Sequence, residues 1–175
     1  GPEAPLAAPR KLTQTDWPSK GPKRLKLKEL KLLPTKPDWA GGLRDNWQPG
    51  EAGAKALLKT FLDDGLSHYA AERDRPDRVA TSRLSPHLRF GEISPRQVVT
   101  AARHAGDAEK ASGKDVEKFV SEIGWREFAH HLLFHFPKLR SENFQARFDN
   151  FPWRKAKPSE LKAWQMGLTG YPIVD

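Results

Sequence analysis

The sequence predicts an all-α domain over residues 49–175, preceded by an irregular, Pro-rich basic arm over residues 1–48. Three observations carry that reading. Eight of the fifteen prolines fall within the first 49 residues, too many for a packed unit. Beyond Pro49-Gly50, apolar residues recur every three or four positions, the period of a half-buried helix. No stretch between residues 49 and 175 alternates convincingly at the period of a strand. With 175 residues, 37% hydrophobic and 30% charged, the chain has room for one ordinary domain and a modest core.

Composition excludes several kinds of chemistry. There is no cysteine, which removes disulfides, zinc ribbons, thiol nucleophiles and cysteine-ligated clusters. A reducing, cytoplasmic setting agrees with that. No apolar run approaches the ~20 residues of a membrane span, and Gly1-Pro2 opens a Pro/Ala stretch unlike a secretory leader. The net charge is +8 and the isoelectric point about 9.8. Residues 1–48 hold ten Lys/Arg against five Asp/Glu, and residues 49–175 hold twenty against seventeen. A basic chain favours polyanionic partners through phosphate neutralisation, although a solvated basic linker accounts for part of the excess.

In the arm, Lys23-Arg24-Leu25-Lys26-Leu27-Lys28 alternates basic and apolar, as in a short edge strand or a segment laid across a neighbour. Trp17, Trp39 and Trp47 read as pins holding the arm to a surface. A helix is expected over Glu51–Arg73, with Ala54, Leu57, Leu58, Phe61, Leu62, Leu66 and Tyr69 on one side. Gly65 weakens it without breaking it, and Arg73-Asp74-Arg75-Pro76-Asp77 ends it. A short helix follows Ser85-Pro86 and stops at Gly91. The next opens at Ser94-Pro95-Arg96-Gln97, which has capping-box spacing with Pro at the first helical position. The longest helix is expected over Asp115–Phe136, ended by Pro137, and the last over Ser159–Met166, closed by Gly167. Thr169–Asp175 reads as one further helix start, and a start without its helix implies a piece of a larger domain.

Three groups of residues could carry chemistry. Thr81-Ser82-Arg83-Leu84-Ser85 places three hydroxyls and a guanidinium ahead of a helix start. Free N–H groups and the helix dipole suit that place to a phosphate, while a plain N-cap in a polar loop explains the same residues. Glu122, Trp125 and Arg126 form the second group. Arg126 falls about 20° from Phe119 on a helix, so it borders the apolar side and needs an anionic partner. Glu122 can serve as that partner in an i,i+4 surface pair, and Trp125 lies further round. Gly124 between them costs a helix about 1 kcal/mol, which makes more sense where something large approaches the backbone. His131 and His135 have the i,i+4 spacing of a two-histidine metal site, but no HExxH glutamate lies between them. With His130 they read as exposed helical histidines, and no metal is expected. Trp153 and Trp164, taken singly, read as packing residues.

Taken together, these segments resemble the FAD-binding domain of DNA photolyases and cryptochromes. The matching stretches are Gly65–Arg73, Thr81–Ser94, Glu122-Ile123-Gly124-Trp125-Arg126-Glu127-Phe128, Phe151-Pro152-Trp153, Ala163-Trp164-Gln165 and Thr169–Asp175. Order and spacing agree across residues 49–175, and the combination is far more specific than any single piece. The resemblance implies the N-terminal half of that helical domain, truncated at its C-terminus, with residues 1–48 as the interdomain linker.

It further implies FAD above a cavity that receives a lesion flipped out of damaged DNA. Tyr69 and Thr81, Ser82, Arg83, Leu84 and Ser85 would contact the FAD phosphates and ribityl chain. Phe119 would stand at a cofactor wall where relatives often carry Trp, and Arg126 would face the flavin. Glu122 and Trp125 would face a cyclobutane pyrimidine dimer, Arg73 would touch DNA phosphate, and Trp153 would be the outermost tryptophan of an electron-transfer chain. The implied activity is that of a deoxyribodipyrimidine photolyase, with a cryptochrome-type blue-light photoreceptor as the alternative. An antenna chromophore is expected in the parent protein, on a domain absent from this chain. The second half of the FAD domain is expected to be absent too, leaving this fragment inactive by itself.

Overall fold

The computed structural model describes residues 4–9, 11 and 25–175. Seven α-helices occur among them: α1 (Gly41–Asn46), α2 (Glu51–Thr60), α3 (Tyr69–Glu72), α4 (Ser85–Arg89), α5 (Pro95–Asp107), α6 (Gly113–His135) and α7 (Pro158–Gln165). No strand is present among the described residues. The chain divides into two compact units, Gly1–Glu127 and Phe128–Asp175.

The first unit holds the core, and sequence signals set its helix ends. Ser94 accepts from the Gln97 N–H at 3.2 Å, and the Gln97 side chain accepts from the Ser94 N–H at 2.9 Å. That closes the expected capping box at the start of α5. Gly91 takes φ +70° just past α4, a conformation glycine adopts without steric cost. Val98, Val99, Ala102 and Ala105 of α5 pack on Val116, Phe119 and Ile123 of α6, with Leu84 and Leu88 beside them.

The helix expected over Glu51–Arg73 is wound unevenly. After α2 the chain opens into a π-helical turn at Phe61–Gly65, tightens into a 3₁₀ turn at Leu66–His68, and resumes as α3. The Leu66 N–H reaches back five residues to the Phe61 carbonyl. One cause is visible at Gly65, where a Cβ would lie 2.8 Å from Cδ2 of Phe61. The ring occupies the space a side chain would need. Phe61 in turn packs on Phe119 at a tilt, 4.6 Å away, and meets Tyr69 edge-on at 5.6 Å; Tyr69 and Phe119 are 5.2 Å apart. Packing has overridden the regular helical period here.

Asp115 fastens the resumed helix to α6. Its buried carboxylate accepts from the Ala70 N–H at 2.8 Å, across 45 residues of sequence, and from the Ser112 hydroxyl. An N–H in the first turn of α3 thereby gains a partner.

Other expectations are corrected. Lys23 and Arg24 lie outside the described residues. The remainder of that stretch forms a 3₁₀ turn at Leu27–Leu30, with its leucines exposed, and no strand. Glu29 draws the turn closed by accepting from the Lys26 N–H at 2.6 Å. Of the three proposed pins, Trp17 lies outside the described residues. Trp39 is 71% exposed, and Trp47 packs half-buried against Arg83 and His87. The segment Thr169–Asp175 makes a single turn, in which the Asp175 N–H reaches the Tyr171 carbonyl at 3.0 Å, the spacing of a first helical turn. The Asp175 carboxylate accepts from the Thr169 N–H and hydroxyl and from the Gly170 N–H, folding the segment on itself.

In the second unit, residues 128–175, no residue is buried. It is held by local devices: 3₁₀ turns at Pro137–Arg140 and Ala146–Phe148, and the Phe136–Phe144 edge contact at 4.9 Å. Gly167 follows α7 at φ +63°, as the sequence suggested.

Two stability outcomes follow. Gly65→Ala forces a methyl against the Phe61 ring and is expected to cost about 1–3 kcal/mol in chemical denaturation. Asp115→Ala strands the Ala70 N–H and is expected to cost about 1–3 kcal/mol, with Ser112→Ala losing less.

Candidate cofactor and nucleic-acid site

Helix α6, as far as Glu127, supplies one wall of the candidate site and the segment from Tyr69 to Arg89 supplies another, both within the first unit. Arg73 leaves the end of α3 over the Tyr69 ring, with its guanidinium carbon 5.7 Å from the ring centroid. It donates to Glu122 of α6, and Lys118 Nζ reaches the same Glu122 oxygen at 3.1 Å from one turn earlier. Arg73 and Glu122 are both largely withdrawn from solvent. Burial pushes the Glu122 carboxyl up, but hydrogen bonds from Lys118 and Arg73 outweigh it and hold the group below the ordinary range. Glu122 therefore stands here as an ionised acceptor.

Arg126 takes other partners. It donates to Glu127 and, at 3.1 Å, to the Leu88 carbonyl near the end of α4. The i,i+4 pair anticipated between Glu122 and Arg126 does not form, because Arg73 and Lys118 reach Glu122 first. Arg126 is instead the strut joining α6 to α4, and so to the hydroxyl-rich turn that leads into α4. Trp125 is 61% exposed. A Cβ on Gly124 would meet open space, so its backbone is accessible from solvent. Gly124 also lines a hollow of about 440 Å³ with Val99 and Val120.

The turn itself is loosely organised. Thr81 and Ser85 are exposed, and among the described residues their hydroxyls make no hydrogen bond. Ser82 Oγ accepts weakly from the Leu84 N–H at 3.4 Å. Arg83 adopts a left-handed backbone, φ +53°, while Leu84 is buried. No side chain caps α4.

Tyr69 and Phe119 are buried in the aromatic trio, and burial raises the Tyr69 phenol above its ordinary value. The structure thus brings together Arg73, Glu122, Tyr69 and Phe119 in one cluster, and Arg126 with the Thr81–Ser85 turn through Leu88. Trp153 belongs to the second unit, 74% exposed and 4.7 Å from Phe151. The His131 and His135 rings meet at a tilt, 4.3 Å apart. Among the described residues no three His, Asp or Glu are grouped to hold a metal, and no helix is long and apolar enough to cross a membrane.

Sequence reasoning missed Lys118, Asp115, His87 and Glu92. Lys118 was available as a second i,i+4 partner of Glu122, and Ser112-x-x-Asp115 has the spacing of a helix cap. Nothing in the sequence pairs His87 with Glu92, whose carboxylate takes the His87 Nδ1 hydrogen at 2.5 Å.

The chain is similar to known proteins over most of its length. The FAD binding domain of DNA photolyase matches residues 119–175. A deoxyribodipyrimidine photo-lyase of Agrobacterium fabrum is 49% identical over 174 residues, 99% of this chain and 35% of that protein. Cryptochrome-1 of Arabidopsis thaliana is 35% identical over 134 residues, 74% of this chain and 20% of its own length. A crystal structure of a bacterial class III photolyase from Agrobacterium tumefaciens superposes with a TM-score of 0.80 at 50% identity, covering 90% of this chain and 32% of that one. The chain spans about a third of the length of these photolyase relatives. On sequence and on fold alike, the chain belongs to the DNA photolyase and cryptochrome family and carries part of its helical FAD-binding domain.

Proposed function

We propose that this chain is the part of a deoxyribodipyrimidine photolyase that grips FAD phosphates and meets a cyclobutane pyrimidine dimer in damaged DNA. The observation that carries the reading is the cluster on α6: an exposed indole, Trp125, within one turn of a carboxylate held between Arg73 and Lys118. An exposed aromatic face beside fixed charges suits an unstacked base, which offers a π-face and a polar edge.

The residues present fit FAD. The hydroxyls of Thr81 and Ser85 are free among the described residues, and with Ser82 and Arg83 they offer donors and a positive charge to a pyrophosphate. Leu84 anchors that turn in the core, and Arg126 braces it through the Leu88 carbonyl. Tyr69 and Phe119 stiffen the wall from behind. Held there by Thr81, Ser82, Arg83 and Ser85, FAD would supply light-driven electron-transfer chemistry with no net redox change.

The chain's own part is to position and to shape the field. Trp125 would stack on the dimer. Glu122 would address its pyrimidine edge: as an acceptor in the ionised form seen here, as a donor only after taking up a proton against the pull of Arg73 and Lys118. Arg73 would exchange part of its contact with Glu122 for a DNA phosphate. Trp153 would pass electrons inward to the flavin, residues 1–48 would connect to a neighbouring domain, and the antenna chromophore would be held outside these residues. The setting would be the cytoplasm.

Cryptochrome signalling is the second reading, favoured by the identity with Cryptochrome-1. Light-dependent repair of dimer-containing DNA by the full-length protein decides between the two: repair is expected, and flavin binding without repair would favour the photoreceptor. Glu122→Gln in that protein is expected to lower the repair quantum yield while FAD stays bound, and an unchanged yield would remove Glu122 from the mechanism. Trp125→Ala is expected to weaken binding of dimer-containing DNA by about 1–3 kcal/mol, read by titration in the dark. Binding of undamaged duplex should change far less.

A further inference from the structure

The turn Thr81–Ser85 does not hold its own shape. Its internal hydrogen bonding is a single weak contact, α4 lacks a side-chain cap, and Arg83 sits in a left-handed conformation that L-residues adopt at a cost. Something outside the turn must keep it. Trp47, at the end of the arm, meets the turn at Arg83 and the helix after it at His87. The Arg83 guanidinium carbon lies 4.8 Å over the Trp47 ring, and the His87 ring meets the same indole edge-on at 6.2 Å. Arg83 is thereby drawn to the side of the turn on which Trp47 stands.

His87 is fixed in turn. Its ring is 2% exposed, and Nδ1 donates to Glu92 at 2.5 Å. The His87 hydrogen bond holds the Glu92 carboxyl below its ordinary range, with a lesser contribution from the Gly50 backbone N–H, three residues beyond Trp47. His87 Nε2 is buried without a partner among the described residues. Trp47 is thus joined to a segment distant in sequence, through Arg83 and His87.

We propose that Trp47, with the His87–Glu92 pair behind it, is a positioning residue that presets the Thr81–Ser85 turn for phosphate. This rests on the reading of that turn as the FAD phosphate site. Trp47 touches no cofactor atom in this scheme. It acts through Arg83, by holding the turn before the ligand arrives, which lowers the ordering cost of binding.

The test compares FAD, which carries phosphates, with riboflavin, which does not, each titrated into the full-length apoprotein. Wild type is expected to prefer FAD. Trp47→Ala is expected to cut that preference about tenfold while leaving riboflavin binding unchanged, and Trp47→Phe to restore most of it. A Trp47→Ala protein that keeps the wild-type preference overturns the proposal, as does one that loses FAD and riboflavin equally, since that marks a general packing defect. Should Trp47→Ala fail to fold, Glu92→Gln decides: it leaves the indole in place but weakens the hold on His87, and the preference should fall in the same sense. If wild type itself shows no preference for FAD over riboflavin, the phosphate reading of the turn is what fails, and this inference falls with it.

Discussion

The close approach of Phe61 to the backbone at Gly65 is the constraint on which the arrangement of the first unit turns. A regular α-helix from Glu51 to Arg73 would place Tyr69 and Arg73 by the 3.6-residue period alone. The π turn at Phe61–Gly65 and the 3₁₀ turn after it change that direction. They let one ring enter the core against Phe119 while the chain beyond it faces α6. Arg73 then reaches Glu122, and Asp115 can meet the Ala70 N–H. π turns cost hydrogen-bond geometry, and they persist where packing repays the cost.

Charge in the candidate site is organised around Glu122. Two cations from different elements converge on one carboxylate, so the group is ionised and its orientation is set. Arg126, one turn along the same helix, is spared for α4. Because Arg73 and Lys118 occupy Glu122, the neighbouring guanidinium can tie α6 to the segment that follows the hydroxyl-rich turn. A side-chain pair that helical spacing favours has been displaced by partners that only the fold brings close. An exposed i,i+4 pair contributes a few tenths of a kcal/mol, so a better-placed partner readily wins.

The second unit shows the opposite economy. No residue of 128–175 is buried, although the stretch carries Phe128, Phe134, Trp153, Trp164 and Ile173. Its turns are held by local hydrogen bonds, such as those to Asp175 and from Arg154 to Glu160. A surface with this much exposed aromatic area is characteristic of segments that meet other surfaces.

Local signals were legible without coordinates. Ser94-Pro95-Arg96-Gln97 marked the start of α5, Pro137 the stop of α6 and Gly167 the end of α7, because caps and breakers act within a few residues of themselves. The motifs around Thr81 and Trp125 were legible for the same reason, and they carried the family. What the tertiary structure alone decided was partnership. Asp115 on Ala70, Arg73 on Glu122, Arg126 on Leu88 and Trp47 between Arg83 and His87 all join residues far apart in sequence, and the π turn at Phe61–Gly65 accompanies the packing of Phe61 on distant Phe119. Helical periodicity says which face of an element a residue occupies. It carries no information about what stands opposite that face, since this depends on how all the elements pack at once.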